Sequence, residues 1–324
     1  AFDTRQYDFL KSDQVPATVN PSLWRQAQLN AINGLFKVTE RVYQVRGLDI
    51  ANLTIIEGDT GLILIDPLLS NETAKAALDL YLQNRPAKPV AAVIYTHSHV
   101  DHFGGVLGVT TQAEADAGQV PILAPEGFLE HAVSENVYVG TAMARRAAYM
   151  YGAALDRGPQ GHVGCGLGQL ASTGEVAIIP PTVHITTTGQ TECIDGVQIE
   201  FQMAPGTEAP AEMHMFYPGL RALNLAENAT HNLHNVLTLR GAQIRDARLW
   251  SAYLDEAIDL FAAEADVAEL VRHDLGSDVL RRPLEQAAVV VTDPPRETEI
   301  AELHPLAMVD HQVGRLDVAV DEPA

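Results

Sequence analysis

The sequence predicts an α/β fold, because short apolar segments typical of strands alternate with a segment typical of an amphipathic helix. Residues 51–66 (ANLTIIEGDTGLILID) contain two apolar runs separated by a Gly/Asp turn, which predicts two strands. Residues 71–85 place Ala74 and Leu78 on one face of a predicted helix. Residues 89–95 (PVAAVIY) form a further apolar run, so the order strand, helix, strand is that of an α/β protein.

The rest of the chain continues with segments of both kinds and then changes character. The pattern predicts helices at 126–151, 230–239 and 246–261, a Gly-rich loop at 161–169, several strands within 183–225 and a last strand at 266–271. Beyond this point the periodicity is weak and prolines are frequent. We therefore predict one domain over residues 1–271 and an atypical C-terminal tail over residues 272–324.

The composition excludes some functions and leaves the location open. A formal net charge of −21 argues against nucleic acid as a partner, and it means that an anionic substrate must be captured by local cations. The chain contains no run of 18 apolar residues, so we predict no membrane span. It starts without the basic and apolar stretch of a signal peptide, but a start at Ala is compatible with prior cleavage. We slightly favour a secreted or periplasmic bacterial protein over a cytoplasmic one.

A cluster of metal-ligand side chains follows the predicted strand at 89–95. His97, His99, Asp101 and His102 lie within the hexapeptide HSHVDH, and imidazole nitrogens and carboxylate oxygens are good Zn²⁺ ligands. His97 and His99 point the same way in an extended turn, whereas Asp101 and His102 can face a second ion. The alternative is a solvated histidine-rich loop, or histidines whose hydrogen bonds are satisfied inside the core. That interpretation would suit a single histidine better than this cluster.

A site for two metal ions needs ligands from other parts of the chain. Glu208 lies in a turn after a predicted strand, and Glu227 lies at the end of another. Carboxylates at strand ends on one edge of a sheet can converge, although each of them alone is more often a surface residue. His273, just past the predicted strand at 266–271, is a further candidate ligand.

Three polar residues follow Glu227 within the predicted helix at 230–239 or at its end. His231 and His234 are three positions apart and share a helix face, so either could protonate a leaving group, or simply cap or pack. Arg240 ends the segment, and a guanidinium can bind a tetrahedral oxyanion through two hydrogen bonds. It could equally serve as a cation that complements the helix dipole.

Several motifs resemble a known family. HSHVDH followed by Gly104-Gly105 resembles the metal motif of the metallo-β-lactamase superfamily, and QMAPGTEAPAEM and ENATHNLHN resemble its alkyl sulfatases. The resemblance covers about residues 1 to 267. It implies the metallo-β-lactamase αββα sandwich, two Zn²⁺ ions per chain and hydrolysis of alkyl sulfates such as dodecyl sulfate. The dimerisation region and the sterol-carrier-like domain of the family are not recognisable after residue 271. The resemblance therefore allows a homodimer but does not predict one.

The resemblance also assigns roles to individual residues. It implies that one zinc binds His97, His99 and Glu208, and that a second binds Asp101 and His102. Glu227 would contact both ions, and Arg240 would hold the sulfate. We choose His234 for the histidine near the leaving group, with His231 as the rival, and place Asn232 at the substrate. Family members carry His-His-Trp-Pro where this chain has Arg272-His273-Asp274-Leu275.

We therefore expect zinc-dependent hydrolysis of small alkyl sulfate esters to an alcohol and inorganic sulfate. An apolar channel would receive the alkyl chain, and residues 137–151 could line it. Another hydrolase of the same fold, acting on a lactam, lactone or thioester, is the first alternative. A catalytically impaired metal-binding or alkyl-binding remnant is the second.

Overall fold

The computed structural model describes residues 3–229 and 236–261 and the backbone of residues 289–291. Its α-helices are α1 (Pro21–Asn30), α2 (Asn71–Asn84), α3 (Gln112–Asp116), α4 (Phe128–Val133), α5 (Gly140–Met150) and α6 (Ala247–Phe261). A π-helical turn, Ser134–Tyr138, joins α4 to α5, and short 3₁₀ segments lie at Thr4–Lys11, Val100–His102, Val106–Gly108 and Pro218–Leu220. Among these helices, none has the length and hydropathy needed to span a lipid bilayer.

The strands form two sheets. They are β1 (Gly34–Thr39), β2 (Val42–Arg46), β3 (Leu53–Glu57), β4 (Leu62–Ile65), β5 (Val90–Ile94), β6 (Ile122–Pro125), β7 (Val183–Ile185), β8 (Thr191–Ile194), β9 (Val197–Met203), β10 (Met213–Tyr217), β11 (Ala222–Asn224) and β12 (Val289–Val291). Strands β1 to β7 form a sheet in sequence order, antiparallel from β1 to β4 and parallel from β4 to β7. The second sheet is antiparallel and has the order β12-β11-β10-β9-β8.

The two sheets pack face to face, and helices cover their outer faces. Residues such as Ile56 and Ile94 of the first sheet pack against Phe201 and Met215 of the second in one buried cluster. On the outer face of the first sheet, α2 contributes to another cluster, and α6 packs on the second sheet through Phe261, which stacks on Phe216. Full burial of such a side chain stabilises the fold by about 1.5–3 kcal/mol. The predicted αββα sandwich is therefore confirmed.

Helix α6 is held next to the loop that follows β11. Asp246 begins this helix, because its carboxylate accepts hydrogen bonds from the backbone N–H groups of Arg248 and Leu249. The indole Nε1 of Trp250 donates to the carbonyl of Asn228, the residue after Glu227. The helix therefore fixes the position of the loop that carries Glu227.

Most of the predicted elements are confirmed, but one helix is wrong in the part that the structure describes. Residues 236–240 form bends and a turn instead of the helix predicted over 230–239, and Arg240 therefore does not end a helix. The segment closes as a loop, because the backbone N–H of Arg245 donates to the carbonyl of Val236. The strand predicted at 266–271 and nearly all of the tail lie outside the described residues.

Candidate metal centre

The loop after β5 carries the histidine cluster and is fastened to both sheets. The backbone N–H of Met213 in β10 donates to the carbonyl of Thr96, and His97 pairs with Glu212 in an isolated β-bridge. Gly105 then lets the chain pass very close to the loop after β4. A Cβ atom at this position would lie only 2.2 Å from the carbonyl oxygen of Pro67. The position of the cluster is therefore set by backbone contacts on either side of it.

Two glutamates reach the cluster from the second sheet. Glu208 lies between the end of β9 and the start of β10, and Glu227 lies just after β11. Because these strands are antiparallel neighbours, both segments lie at the same edge of the sheet. This edge faces the loop after β5, so residues distant in the sequence meet there.

The first group of possible ligand atoms comes from His97, His99, Glu208 and Glu227, which each offer one atom, and these atoms all lie within 4.8 Å of one another. Oε2 of Glu208 lies 2.5 Å from Nδ1 of His99 and 3.3 Å from Nε2 of His97. Oε2 of Glu227 lies 3.7 Å from the same His97 nitrogen. These distances place the four side chains around a common point.

The second group comes from Asp101, His102 and Glu227. Nε2 of His102 lies 3.4 Å from Oδ2 of Asp101 and 3.5 Å from Oε2 of Glu227. Glu227 thus belongs to both groups through a single oxygen atom. A third grouping, of Asp66 with His97 and His102, places Asp66 on the other side of the histidine rings.

The chemistry of these donors fits a metal ion. Two buried atoms, Nε2 of His97 and Nε2 of His102, have no hydrogen-bond partner within the described part of the chain. Buried polar atoms are rarely left in this state. The two groups also contain three carboxylates in a mostly buried setting. A positive ion would therefore accept the lone pairs of the histidine nitrogens and neutralise the negative charge of the carboxylates.

The ring nitrogens that point away from the centre have oxygen partners. Nδ1 of His97 lies 2.9 Å from the hydroxyl of Thr96, and Nδ1 of His102 lies 2.8 Å from Oδ2 of Asp66. Asp66 also accepts hydrogen bonds from the backbone N–H and the hydroxyl of Thr96. Metal-binding histidines commonly have such partners, which fix the ring and its tautomer.

Close contacts between charged groups shift the pKa values of the cluster. Burial alone would lower the pKa of His102, but the Asp101, Asp66 and Glu227 carboxylates raise it well above its ordinary value. Burial would raise the pKa of Asp101, but His102 lowers it overall. The pKa of His97 is lowered well below its usual range by burial and by the neighbouring His102.

A fourth carboxyl group supports the loop that carries Glu208. Oε2 of Glu212 accepts hydrogen bonds from the hydroxyl of Thr207 and the backbone N–H of Ala209, the two residues that flank Glu208. Burial and the nearby Glu208 charge raise the pKa of Glu212 well above its ordinary value. Glu212 therefore supports the shape of the loop that carries Glu208.

Two arginines approach the centre. Arg245 is buried, and its guanidinium contacts a carboxylate oxygen and the carbonyl of Glu208. The guanidinium of Arg240 pairs with Glu135 at the other side, and burial lowers the pKa of this arginine. Oε2 of Glu135 in turn lies 3.7 Å from Nε2 of His99. Arg240 is thus linked to the cluster through one carboxylate.

Six of the predicted metal ligands lie within the described residues, and the structure brings all of them together: His97, His99, Asp101, His102, Glu208 and Glu227. His231, Asn232, His234 and His273 lie outside the described residues, so their predicted roles stay predictions. Sequence reasoning missed Asp66, Glu135, Glu212 and Arg245. Only Asp66 carried a usable signal, since it is a carboxylate that directly follows the apolar run of β4.

Comparison with known proteins places these features in context. Residues 46–268 match the metallo-beta-lactamase superfamily. A linear primary-alkylsulfatase from Pseudomonas sp. is 56% identical over 273 residues, which are 84% of this chain and 40% of that protein. The alkyl/aryl-sulfatase BDS1 from Saccharomyces cerevisiae is 52% identical over 269 residues, covering 83% and 42% of the two chains.

A solved structure is similar as well. The stereoselective inverting sec-alkylsulfatase Pisa1 from Pseudomonas sp. gives a TM-score of 0.80 at 50% identity, covering 82% of this chain and 42% of that one. The chain thus spans about two fifths of the length of the curated relatives it matches, 40% and 42% for the two above. The resemblance drawn from HSHVDH and ENATHNLHN is confirmed.

Proposed function

Because this chain belongs to the metallo-beta-lactamase superfamily and is similar over most of its length to alkylsulfatases, we propose that it hydrolyses alkyl sulfate esters with zinc as its metal. The products are an alcohol and inorganic sulfate. One observation carries the proposal. Two groups of ligand atoms share Glu227, and the partly buried Arg240 lies beside them.

The residues would divide between two zinc ions. His97, His99 and Glu208 would hold one ion, Asp101 and His102 the other, and Glu227 would contact both. His273 is our candidate for completing the second site. Zinc ions in such a site act as Lewis acids and lower the pKa of water. Nε2 of His97 and Nε2 of His102, which have no hydrogen-bond partner within the described residues, support this assignment.

The protein's own groups would bind the ester and provide a proton. Arg240 would bind the sulfate oxygens, because a guanidinium offers several N–H donors in one plane. Asn232 would bind the substrate nearby. His234, or its rival His231, would donate a proton to the ester oxygen as the alcohol departs. One water is consumed, and its oxygen ends in either the sulfate or the alcohol.

The alkyl chain would lie along the segment that contains α5. Val137, Tyr138 and Tyr149 are exposed, although large apolar side chains are usually buried. Tyr151, just after α5, is close enough to the cluster that Asp101 adds to the effect of burial in raising its pKa. Exposed apolar side chains on this segment would suit a substrate with a charged head and an apolar tail.

The test measures sulfate release from dodecyl sulfate by the purified chain, together with its zinc content. We expect release that stops with a chelator and returns with added zinc, and two zinc ions per chain. The His97→Ala variant should bind less zinc and release less sulfate. Release that persists without metal would refute the metal mechanism. Faster hydrolysis of nitrocefin than of the sulfate ester would favour a lactamase instead.

A further inference from the structure

We propose that Glu135 is a positioning and specificity-determining residue, which holds Arg240 beside the candidate metal ligands and favours singly charged sulfate esters over doubly charged phosphate esters. The inference rests on the proposed function, because it takes Arg240 as the group that binds the sulfate. It adds a residue from a separate part of the chain. It also explains how the site could distinguish two tetrahedral esters of similar shape.

Glu135 lies in an irregular part of the helical region. The π-helical turn Ser134–Tyr138 interrupts the run from α4 to α5, and such turns often occur at functional sites. The side chain of Glu135 is only 14% exposed, and that of its partner Arg240 only 15%. A partly buried ion pair that joins segments 105 positions apart holds the Arg240 guanidinium in a defined place.

The second contact of Glu135 is with a candidate metal ligand. Nδ1 of His99 lies 2.5 Å from Glu208, so this nitrogen faces the other ligands, and Nε2 faces Glu135 at 3.7 Å. The outer nitrogens of His97 and His102 likewise face oxygen atoms, those of Thr96 and Asp66. Glu135 is therefore the outer partner of the third histidine. It contacts Arg240 directly and lies within ion-pair distance of His99.

The charge of Glu135 has a consequence for substrate choice. A sulfate monoester carries one negative charge at neutral pH, whereas a phosphate monoester carries about 1.5 to 2. The Glu135 carboxylate offsets the positive charge of Arg240. It therefore repels a doubly charged phosphate ester more strongly than a singly charged sulfate ester. Asp101 and Arg245 also act on Arg240, with opposite signs, and Glu135 is the carboxylate in direct contact with its guanidinium.

The test compares binding of two ligands that are not hydrolysed, octyl sulfonate and octyl phosphonate. Calorimetry is carried out on the zinc-loaded chain at a pH above the second pKa of the phosphonate. The variants are Glu135→Gln, which keeps an acceptor for Arg240 without the charge, and Glu135→Ala, which removes both. Glu130→Gln, in the exposed part of α4, is the matched control. Zinc content is measured for every variant.

We expect Glu135→Gln to keep its zinc, to bind the sulfonate nearly as well as the wild type and to bind the phosphonate about tenfold more tightly. Glu135→Ala should bind the sulfonate more weakly, because Arg240 loses its partner. The control should match the wild type. Equal changes for the two ligands in Glu135→Gln, or no change, would overturn the proposal, as would a wild type that prefers the phosphonate.

This result can be separated from the proposed function. Sulfonate binding without sulfate release from octyl sulfate would refute the proposed hydrolysis, and the selectivity shift would still decide the role of Glu135. A wild type that binds neither ligand would overturn both proposals.

Discussion

The carboxylate of Asp66 lies 2.8 Å from Nδ1 of His102, although the two residues are 36 positions apart. Asp66 follows β4 with φ of 57°, a left-handed conformation that Asp adopts more readily than most residues. Its other oxygen accepts a hydrogen bond from the backbone N–H of Thr96, directly after Tyr95. The end of one strand therefore holds the histidine loop that follows the next.

The first prediction concerns this carboxylate. Asp66→Asn should lower zinc affinity roughly 10- to 100-fold, because the amide has a single acceptor oxygen and cannot accept both from the backbone N–H of Thr96 and from Nδ1 of His102. Competition with a fluorescent chelator measures the change. Asp79→Asn is the control, since Asp79 pairs with Lys75 on the exposed side of α2. Wild-type zinc affinity in Asp66→Asn would show that His102 does not depend on this partner.

The second prediction concerns the buried pair of Arg245 and Glu208. Arg245→Met should reduce the free energy of unfolding of the metal-free chain by about 3–5 kcal/mol, because it leaves a buried carboxylate without its cation. Zinc should restore part of this loss if Glu208 is a ligand. Urea unfolding with and without zinc measures both effects. Arg248→Met, at an exposed position three residues on, should stay close to the wild type. Equal losses in the two variants would contradict the argument.

The third prediction concerns pH and a carboxylate far from the candidate centre. Glu57 accepts hydrogen bonds from the Tyr81 hydroxyl and the Arg85 guanidinium, and these lower its pKa although burial acts to raise it. A carboxyl group whose pKa is lower in the folded state stabilises the fold above its unfolded pKa, about 4.3, and the gain is lost as the pH falls through the folded value.

Glu57→Gln should therefore be less stable than the wild type near neutral pH and should lose less further stability on acidification. Urea unfolding at a series of pH values measures the two slopes. Glu40→Gln, at an exposed carboxylate that pairs with Lys37, serves as the control. Parallel stability curves for Glu57→Gln and the wild type would show that the Tyr81 contact does not shift the titration.

The sequence predicted the centre where ligands are close together along the chain. HSHVDH after an apolar strand was sufficient for the histidine cluster, and the strand ends before Glu208 and Glu227 indicated that carboxylates could join it. The αββα layering followed from the resemblance more than from periodicity. Strand β6 and the N-terminal helix α1 were not predicted, because their apolar patterns are short.

The groups behind the ligands could not be predicted in the same way. Arg245 and Glu135 have the sequence context of surface residues, and only packing of distant segments buries them. The helix predicted at 230–239 failed over residues 236–239 because Gly241, with φ of 96°, and the contact from Arg245 to Val236 close a loop there. Helical spacing of polar residues does not reveal such closures.

The division of the cluster between two sheets has a consequence for how the protein is made. Residues 97–102 leave the ribosome well before Glu208 and Glu227 are synthesised, so the early half offers only its own side chains to an ion. An ion that requires all of these groups is captured only after both sheets have docked. Loading then follows docking of the two sheets, and the free energy of metal binding adds to the stability of the docked state.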